Sequence, residues 1–268
     1  MRLKLRDSEL AYDDTGGDPS TALRTPVLFI HGLPLDRTLW SAQTRGLGQV
    51  ARVIAPDLRG FGESRLPTGA VTVETYADDL RDLLDALGIQ RAVIAGLSMG
   101  GYTAFAFYRR YAPRVHALIL ADTRATPDPL EAKQRRDDNI ALARTKGTAA
   151  VAEKMFPLML TPKTIAERAD LANAVRALMS RQPVEGVIAA LRALRDRPDS
   201  TPTLAQITVP TLVVVGAEDT LTPPRDEEQM REGIRGARLA VIPNAAHLAN
   251  LEQPDAFNHA GREFLLSL

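Results

Sequence analysis

One six-residue stretch, Gly96-Leu97-Ser98-Met99-Gly100-Gly101, most constrains how this chain can fold. A run of small and apolar residues precedes it at 92–95, and a helix-like segment follows at 102–108. The pattern predicts a buried strand that turns directly into a helix, with Ser98 at the apex. Such a turn is crowded, so the residues two positions either side must be small. A glycine-rich turn that merely contains a serine is the alternative.

Composition excludes several classes of function. The 33 basic and 33 acidic side chains cancel, so charge gives no reason to expect a nucleic acid or an anionic membrane as partner. The chain has no cysteine, which rules out a disulfide framework, a thiolate nucleophile and a cysteine metal site. The N-terminus lacks the apolar core of a signal peptide, and no apolar run is long enough to span a bilayer. We therefore expect a cytoplasmic protein, either a monomer or a homodimer.

Short apolar runs alternate with amphipathic segments along most of the chain. After a predicted hairpin at 1–14 and a loop at 15–20, strands are predicted at 27–30, 52–55, 92–95, 118–121, 212–215 and 238–242. Helices are predicted at 38–46, 73–87, 99–111, 223–234 and 254–266. This alternation predicts an α/β fold, namely a mostly parallel sheet with helices on both faces.

Residues 123–205 differ from this pattern, and we call them the cap segment. They contain no long β-branched run, and several prolines divide them into short helical stretches. We expect a helical cap of residues 123–205 over the carboxyl edge of the sheet, inserted into a core of residues 1–122 and 206–268. Basic residues outnumber acidic ones in the cap segment. Most should lie on solvated helix faces, whereas a carboxylate-bearing substrate would need one or two turned inward.

Ligands of such sheets bind beyond the carboxyl ends of the strands, where this chain carries Ser98, Asp122, Asp219 and His247. A serine hydroxyl is a poor nucleophile until a histidine takes its proton, and a carboxylate must orient that histidine. The chain order of Ser98, Asp219 and His247 fits that requirement. The sequence therefore predicts a serine hydrolase at this edge.

Four histidines compete for the role of base. His247 follows the last strand in a loop and is the preferred candidate. His116 lies at the opposite end of its strand, and His259 lies within the last helix. His31 is at the correct edge, in a short loop whose backbone we expect to matter more than its ring.

Two strand-end aspartates compete for the acid. Asp219 is preferred, and Asp122 is the alternative because it also follows a strand. Glu218 should point away, since adjacent strand-end residues face opposite sides. A structural interpretation of Asp219 is that it caps the helix expected to begin near Thr222 and Pro223.

The oxyanion that forms when serine attacks a carbonyl needs two donors. The N–H of Met99, at the helix start, is one candidate. The second should come from the loop after the 27–30 strand, where Leu33 is preferred because Pro34 has no N–H. Gly32 would allow close approach of the backbone, although a plain strand-ending turn is the alternative.

Five motifs together resemble the α/β-hydrolase superfamily. They are the 29–32 strand end, the 57–64 loop, the serine turn at 96–101, the 216–219 loop and Ala246-His247. The chain is most similar to small bacterial carboxylesterases and enol-lactone hydrolases. That resemblance implies an eight-stranded sheet with a cap after strand six, Ser98 as nucleophile, His247 as base and Asp219 as its partner. It also implies an oxyanion hole at Leu33 and Met99, a structural role for 57–64, and no cofactor or metal.

The resemblance implies a hydrolase that cleaves carboxylic esters of small acyl groups through an acyl-enzyme. Related dehalogenases and epoxide hydrolases carry aspartate where this chain has Ser98, which disfavours their chemistries. An enol-lactone hydrolase with the same triad is one alternative, and a non-catalytic small-molecule receptor on this fold is another. Apolar residues expected to line the substrate pocket, or else simply to pack the cap on the core, are Trp40, Met155, Phe156, Met159 and Leu221.

Overall fold

A computed structural model describes residues 1–17 and 23–268, so residues 18–20 of the predicted 15–20 loop lie outside the described residues. The described strands are β1 (Arg2–Lys4), β2 (Glu9–Asp14), β3 (Leu23–Ile30), β4 (Ala51–Pro56), β5 (Ala92–Leu97), β6 (Val115–Ala121), β7 (Thr211–Gly216) and β8 (Arg238–Ile242). They form one eight-stranded sheet in the order β1-β2-β4-β3-β5-β6-β7-β8. The predicted hairpin and the predicted mostly parallel sheet are confirmed. Among the described strands, β1 pairs with β2 and β2 pairs with β4 in antiparallel fashion, and the other five pairs are parallel.

Helices cover both faces of this sheet. They are α1 (Ser41–Leu47), α2 (Val73–Ala86), α3 (Met99–Tyr111), α4 (Leu130–Met155), α5 (Pro162–Glu167), α6 (Ala169–Ser180), α7 (Val184–Arg195), α8 (Thr201–Leu204), α9 (Pro224–Gly233), α10 (Ala249–Glu252) and α11 (Pro254–Leu266). The central strands β5 and β7 are buried along their whole length, as their uninterrupted apolar runs require. Two apolar clusters fill the space between the sheet and its two helical layers.

Parallel strands bring their carboxyl ends to one edge of the sheet. β3, β5, β6, β7 and β8 are consecutive neighbours in it, so the loops that follow them converge. Those loops begin at His31, Ser98, Asp122, Ala217 and Pro243. The sheet order thus gathers residues that are far apart in the sequence into one place.

Helices α4 to α8 lie between β6 and β7, within the cap segment. Helix α4 is broken at Gly147, whose φ of 78° and ψ of 177° are not helical. Nothing lies within 4 Å of where a Cβ on Gly147 would stand, so the glycine serves backbone conformation rather than close packing. The break divides α4 into two parts that can point in different directions.

Helix α7 packs on the core through buried side chains, and at one point it meets the 57–64 loop backbone to backbone. A Cβ on Gly186 would stand 3.0 Å from the Cα of Gly60, in the 57–64 loop. Gly60 also has a φ of 83°, a conformation that favours glycine. Both positions therefore require glycine, Gly186 for space and Gly60 for space and conformation.

Among the residues described, no helix is both long and apolar enough to cross a membrane.

Candidate active site

The serine turn has the predicted geometry. Ser98 lies between β5 and α3 with a φ of 54° and a ψ of −113°, outside the regions that most residues adopt. A Cβ on Gly96 would overlap the backbone of Gly100, and one on Gly101 would stand 2.6 Å from the Cβ of Thr123. These contacts explain why small residues surround the serine. Ser98 is partly exposed, whereas Met99 after it is buried.

His247 and Asp219 form a buried hydrogen-bonded pair. The Nδ1 of His247 lies 2.8 Å from the Oδ2 of Asp219, and the two residues are only 2% and 3% exposed. A proton on Nδ1 satisfies this bond and leaves Nε2 free to accept another proton. Asp122 makes no hydrogen bond with His247. The geometry thus joins the histidine to Asp219 and not to the second strand-end aspartate.

Asp219 is held by the turn that contains it. Its Oδ1 accepts hydrogen bonds from the backbone N–H groups of Leu221 (2.7 Å) and Thr222 (3.1 Å), and its Oδ2 accepts one from the Thr222 hydroxyl (2.6 Å). Burial alone would raise the pKa of Asp219, but His247 and Thr222 outweigh it and hold that pKa below its ordinary value. The structural and functional interpretations of Asp219 therefore coexist, because the same carboxylate organises the turn before α9 and contacts His247.

Sequence reasoning missed two residues that hold this pair. The hydroxyl oxygen of Thr222 lies 3.3 Å from His247 Nδ1, in addition to its bond with Asp219. The carboxylate of Glu252, on α10, accepts hydrogen bonds from the N–H of Ala246 (2.6 Å) and the N–H of Thr161 (2.9 Å). Glu252 thereby ties the histidine loop to the cap segment. The three-residue spacing from Asp219 to Thr222 was a usable signal for Thr222. Nothing in the sequence linked Glu252 to Thr161, which is 91 positions away.

The two predicted oxyanion donors lie beside the serine. A Cβ on Gly32 would stand 3.3 Å from the Cβ of Ser98, so the loop that carries Leu33 runs against the serine turn. Within the part of the chain that the structure describes, the N–H groups of Leu33 and Met99 donate to no protein acceptor. Two uncommitted amides next to one hydroxyl are chemically suited to bind a developing negative charge.

His31 contributes its ring as well as its backbone. Its Nε2 accepts a hydrogen bond from the N–H of Leu58 (3.0 Å), so Nδ1 carries the proton and donates to the carbonyl of Gly32 (2.9 Å). Complete burial lowers the pKa of His31, although the bond to Gly32 and the charge of Asp57 act in the opposite direction. The ring therefore has a structural role that the sequence analysis did not include, because the neutral imidazole joins the Leu33 loop to the 57–64 loop.

The other ionisable candidates lie away from the site. His259 is exposed on α11, 3.4 Å from Glu263, and His116 is at the amino end of β6. The side chain of Glu218 is exposed and points away from the buried edge, as predicted. In the 57–64 loop, buried Asp57 accepts hydrogen bonds from the N–H groups of Arg37 and Glu63, both 2.8 Å, which agrees with a structural turn.

A cavity of about 160 Å³ opens onto Ser98. The sheet side of the cavity supplies Leu33, Ser98 and Leu221. The remaining lining comes from α3 and the cap segment, namely Tyr102, Arg124, Asp128, Ala132, Arg135, Arg136, Asn139, Lys154, Met155, Leu158 and Leu194.

Cationic side chains outnumber anionic ones around this cavity. Asp128 bonds to Arg136 (3.0 Å) and pairs with Arg197 (2.6 Å), and these cations outweigh burial and keep the pKa of Asp128 below its ordinary value. Arg124 lies 3.3 Å from Asp226. Arg135 and Lys154, which the break in α4 separates, have no salt-bridge partner among the described residues.

The structure corrects part of the predicted substrate pocket. Met155 and Leu221 line the cavity, as expected. Trp40, Phe156 and Met159 do not, because each is at most 1% exposed and packs inside one of the two apolar clusters. The Trp40 ring packs on Phe29, with 4.6 Å between centroids, rather than facing Ser98. For these three residues the alternative interpretation, packing within the core, describes their positions.

Within residues 1–17 and 23–268, no three His, Asp or Glu side chains are placed to hold a metal ion together.

Residues 25–254 match the family model described as the alpha/beta hydrolase fold. The chain belongs to the α/β-hydrolase family. This α/β hydrolase is 31% identical over 258 residues to 3-oxoadipate enol-lactonase 2 of Acinetobacter baylyi, a match that covers 96% of the chain and 93% of its relative.

Two solved structures agree with that assignment. A thermophilic esterase from Thermogutta terrifontis, with malate bound, is 43% identical with a TM-score of 0.93, over 99% of this chain and 98% of the esterase. The enol-lactonase from Burkholderia xenovorans LB400 is 29% identical with a TM-score of 0.91, over 99% of both chains. The α/β hydrolase described here is therefore a hydrolase related to esterases and enol-lactonases.

Proposed function

We propose that this hydrolase cleaves carboxylic esters of small acyl groups, with Ser98 as nucleophile, His247 as general base and Asp219 as its partner. The observation that carries the proposal is the buried 2.8 Å contact between His247 Nδ1 and Asp219 Oδ2 at the sheet edge that bears the serine turn. A histidine fixed in this way can take the proton that a serine must lose to become nucleophilic.

In the proposed reaction, the Ser98 oxygen attacks the ester carbonyl while its proton passes to Nε2 of His247. The amides of Leu33 and Met99 stabilise the resulting oxyanion, and Asp219 stabilises the imidazolium. His247 returns the proton to the leaving alcohol, and the acyl group remains on Ser98. His247 then takes a proton from water, whose oxygen attacks the acyl-enzyme. The acid leaves, and Ser98 regains its proton.

The test is hydrolysis of p-nitrophenyl acetate by the parent, by Ser98→Ala and by Ser41→Ala, a matched control at an exposed serine. We expect Ser98→Ala to lose kcat by about 10⁴-fold or more and Ser41→Ala to keep the parent rate. An organophosphonate should label the parent and the control but not Ser98→Ala. Parent-level hydrolysis by Ser98→Ala would overturn the proposal, and ligand binding without turnover or labelling would favour a receptor.

A specific observation favours a second substrate class, lactones or esters that carry a carboxylate. The unpaired cations Arg135 and Lys154 line the cavity at Ser98 and could hold such a group. The relatives named enol-lactonases and the malate in the Thermogutta esterase structure support this possibility. The same proposed triad would open a lactone ring, with the enol or alcohol staying attached to the acid.

Comparing matched pairs of substrates separates the two classes. Each pair would share its reacting ester or lactone and differ only in a terminal carboxylate or its methyl ester. A higher kcat/KM for the carboxylate, with a difference that shrinks as salt is raised, would favour the anionic class. Equal or lower values for the carboxylate would favour neutral esters.

A further inference from the structure

Two buried carboxyl groups beneath the His247–Asp219 pair take no part in the proposed reaction. Asp122 follows β6, and Glu227 lies on α9, and neither has any exposed surface. The Oε2 of Glu227 is buried and makes no hydrogen bond to a described residue, and the buried Oδ2 of Asp122 has no partner of normal hydrogen-bond geometry, although the amide of Ala249 lies near enough to act on that carboxyl. Orphaned oxygens at this depth are costly and call for an explanation.

The other oxygen of each carboxyl is committed to the framework of the site. Asp122 Oδ1 accepts the N–H of Gly216 (2.8 Å), whose own carbonyl accepts the N–H of Asp219 (3.1 Å). Glu227 Oε1 accepts the N–H of Thr123 (2.9 Å), whose hydroxyl donates to the carbonyl of Ser98 (2.8 Å). The adjacent residues Asp122 and Thr123 thus connect the serine turn to the loop of the acid.

Asp122 also has an unusual backbone. Its φ of 44° lies in the left-handed region, which residues with a side chain rarely occupy. Strained conformations of this kind persist where surrounding bonds enforce them, and they cluster at functional sites. Here the N–H of Asp122 donates to Val214 (2.9 Å), so both its backbone and its side chain are fixed by β7.

The charges around the two groups oppose full ionisation. Burial, followed by the charges of Asp122 and Asp219, raises the pKa of Glu227 to about 10. Burial, followed by the charges of Asp219 and Glu252, also raises the pKa of Asp122. The amides of Gly216 and Ala249 act in the opposite direction and lower that pKa. Arg124, two residues after Asp122 in the sequence, pairs with Asp226.

We propose that Asp122 and Glu227 share one proton and act as positioning residues for the proposed triad, with the remaining negative charge strengthening His247 as a base. This inference rests on the proposed function. A neutral Glu227 supplies an O–H donor at Oε2, and an ionised Asp122 supplies an acceptor at Oδ2. Because Glu227 bonds to the N–H that directly follows Asp122, one proton shared between the two carboxyls would give each orphaned oxygen a partner. The residual charge lies near Asp219 and favours the imidazolium that forms during attack.

Three variants test the shared proton, with Glu228→Gln on the exposed face of α9 as the matched control. Glu227→Gln retains an acceptor for Thr123 and a donor for Asp122, so kcat/KM should stay within about twofold of the parent. Glu227→Ala removes both the acceptor for Thr123 and the donor for Asp122, so it should lower kcat by about fivefold or more. Asp122→Asn should move the acidic limb of the kcat/KM profile to lower pH, since the imidazolium loses a nearby negative charge.

A second measurement needs no turnover. A carboxyl that takes up a proton on folding makes the parent less stable as pH rises from 6 to 9, and Glu227→Gln should flatten that decline. If Glu227→Gln is as damaging as Glu227→Ala, or if folded Asp122→Asn keeps the parent acidic limb, the inference is overturned. Should Asp122→Asn fail to fold, the two Glu227 variants and the stability profile decide. A parent without esterase or lactonase activity would overturn the proposed function instead, and the stability profile would still report on the pair.

Discussion

The two walls of the cavity at Ser98 are built in different ways. On the sheet side, His247 and Asp219 do not line the cavity itself; they are almost fully buried, and each oxygen of the aspartate accepts more than one contact. On the cap side, Arg135 and Lys154 are exposed and have no salt-bridge partner among the residues described. One wall is fixed by the protein interior, while the other presents side chains to solvent.

This difference separates chemistry from substrate choice. Groups that must meet within a fraction of an ångström are fixed by bonds at strand ends, where the sheet leaves little freedom. Groups that only attract part of a substrate can stay mobile and solvated. Substitutions on the sheet wall should therefore cost reaction rate or stability, and substitutions on the cap wall should change selectivity.

Asp219→Asn should have the largest effect on the sheet wall. The amide cannot stabilise the imidazolium and can orient His247 in the wrong tautomer, so kcat should fall by about 10⁴-fold. Steady-state hydrolysis of p-nitrophenyl acetate measures it, with the exposed neighbour Glu218→Gln as control. A loss below about tenfold would mean that Asp219 serves the turn rather than the reaction.

Trp40→Ala should mainly reduce stability. The ring fills the core between Phe29 and Phe257, with 4.6 and 6.0 Å between centroids, so the free energy of unfolding should fall by about 3–5 kcal/mol. Urea unfolding measures the loss, and Trp40→Phe should recover part of it. If a folded Trp40 variant changed the preference among acyl lengths while keeping its stability, the tryptophan would belong to the pocket after all.

The His31 bridge should make stability depend on pH. Burial lowers the pKa of this histidine below the value near 6.5 of an unfolded chain, so the unfolded state binds more protons. The free energy of unfolding should fall as pH drops below that value, by up to about 1.4 kcal/mol per pH unit. His31→Gln should be less stable at pH 7 but flatter between pH 7 and 5. Parallel profiles for both proteins would contradict this account.

Arg135→Gln and Lys154→Gln should have the smallest effects. Each exposed cation should contribute about a two- to fivefold difference in KM for a carboxylate-bearing substrate, and nothing for the matched neutral ester. Arg144→Gln, an exposed position on α4 outside the cavity, is the control. Equal changes for the charged and neutral substrates would remove the distinction between the two walls.

The sheet wall was largely predictable from sequence, and the cap wall was not. Apolar runs identified the strands, and parallel topology then required Ser98, Asp219 and His247 to lie at one edge. The same logic preferred Asp219 but kept Asp122 as the alternative, because both follow strands, and the position of His247 Nδ1 beside Asp219 distinguishes them. Residues tied by long-range bonds, such as Glu252, left no local signal.

The predictions of pocket residues in the cap segment were incomplete for a different reason. The apolar pattern indicates that Phe156 and Met159 are buried, as they are. It does not indicate which residues they contact, because an apolar helix face can pack on any apolar surface. The break at Gly147 also redirects the second part of α4. Of the three predicted pocket residues at 155–159, Met155 alone lines the cavity.

The contact between Gly60 and Gly186 fixes the distance between α7 and the 57–64 loop at that point. With only backbone at Gly60 and Gly186, no side chain can compress or rotate to absorb a change. A single methyl group at Gly186 would act as a spacer and lift one end of α7 away from the sheet. Leu194, at the other end of that helix, lines the cavity. A change at Gly186, which does not line the cavity, should therefore alter the space that the cavity offers to a substrate.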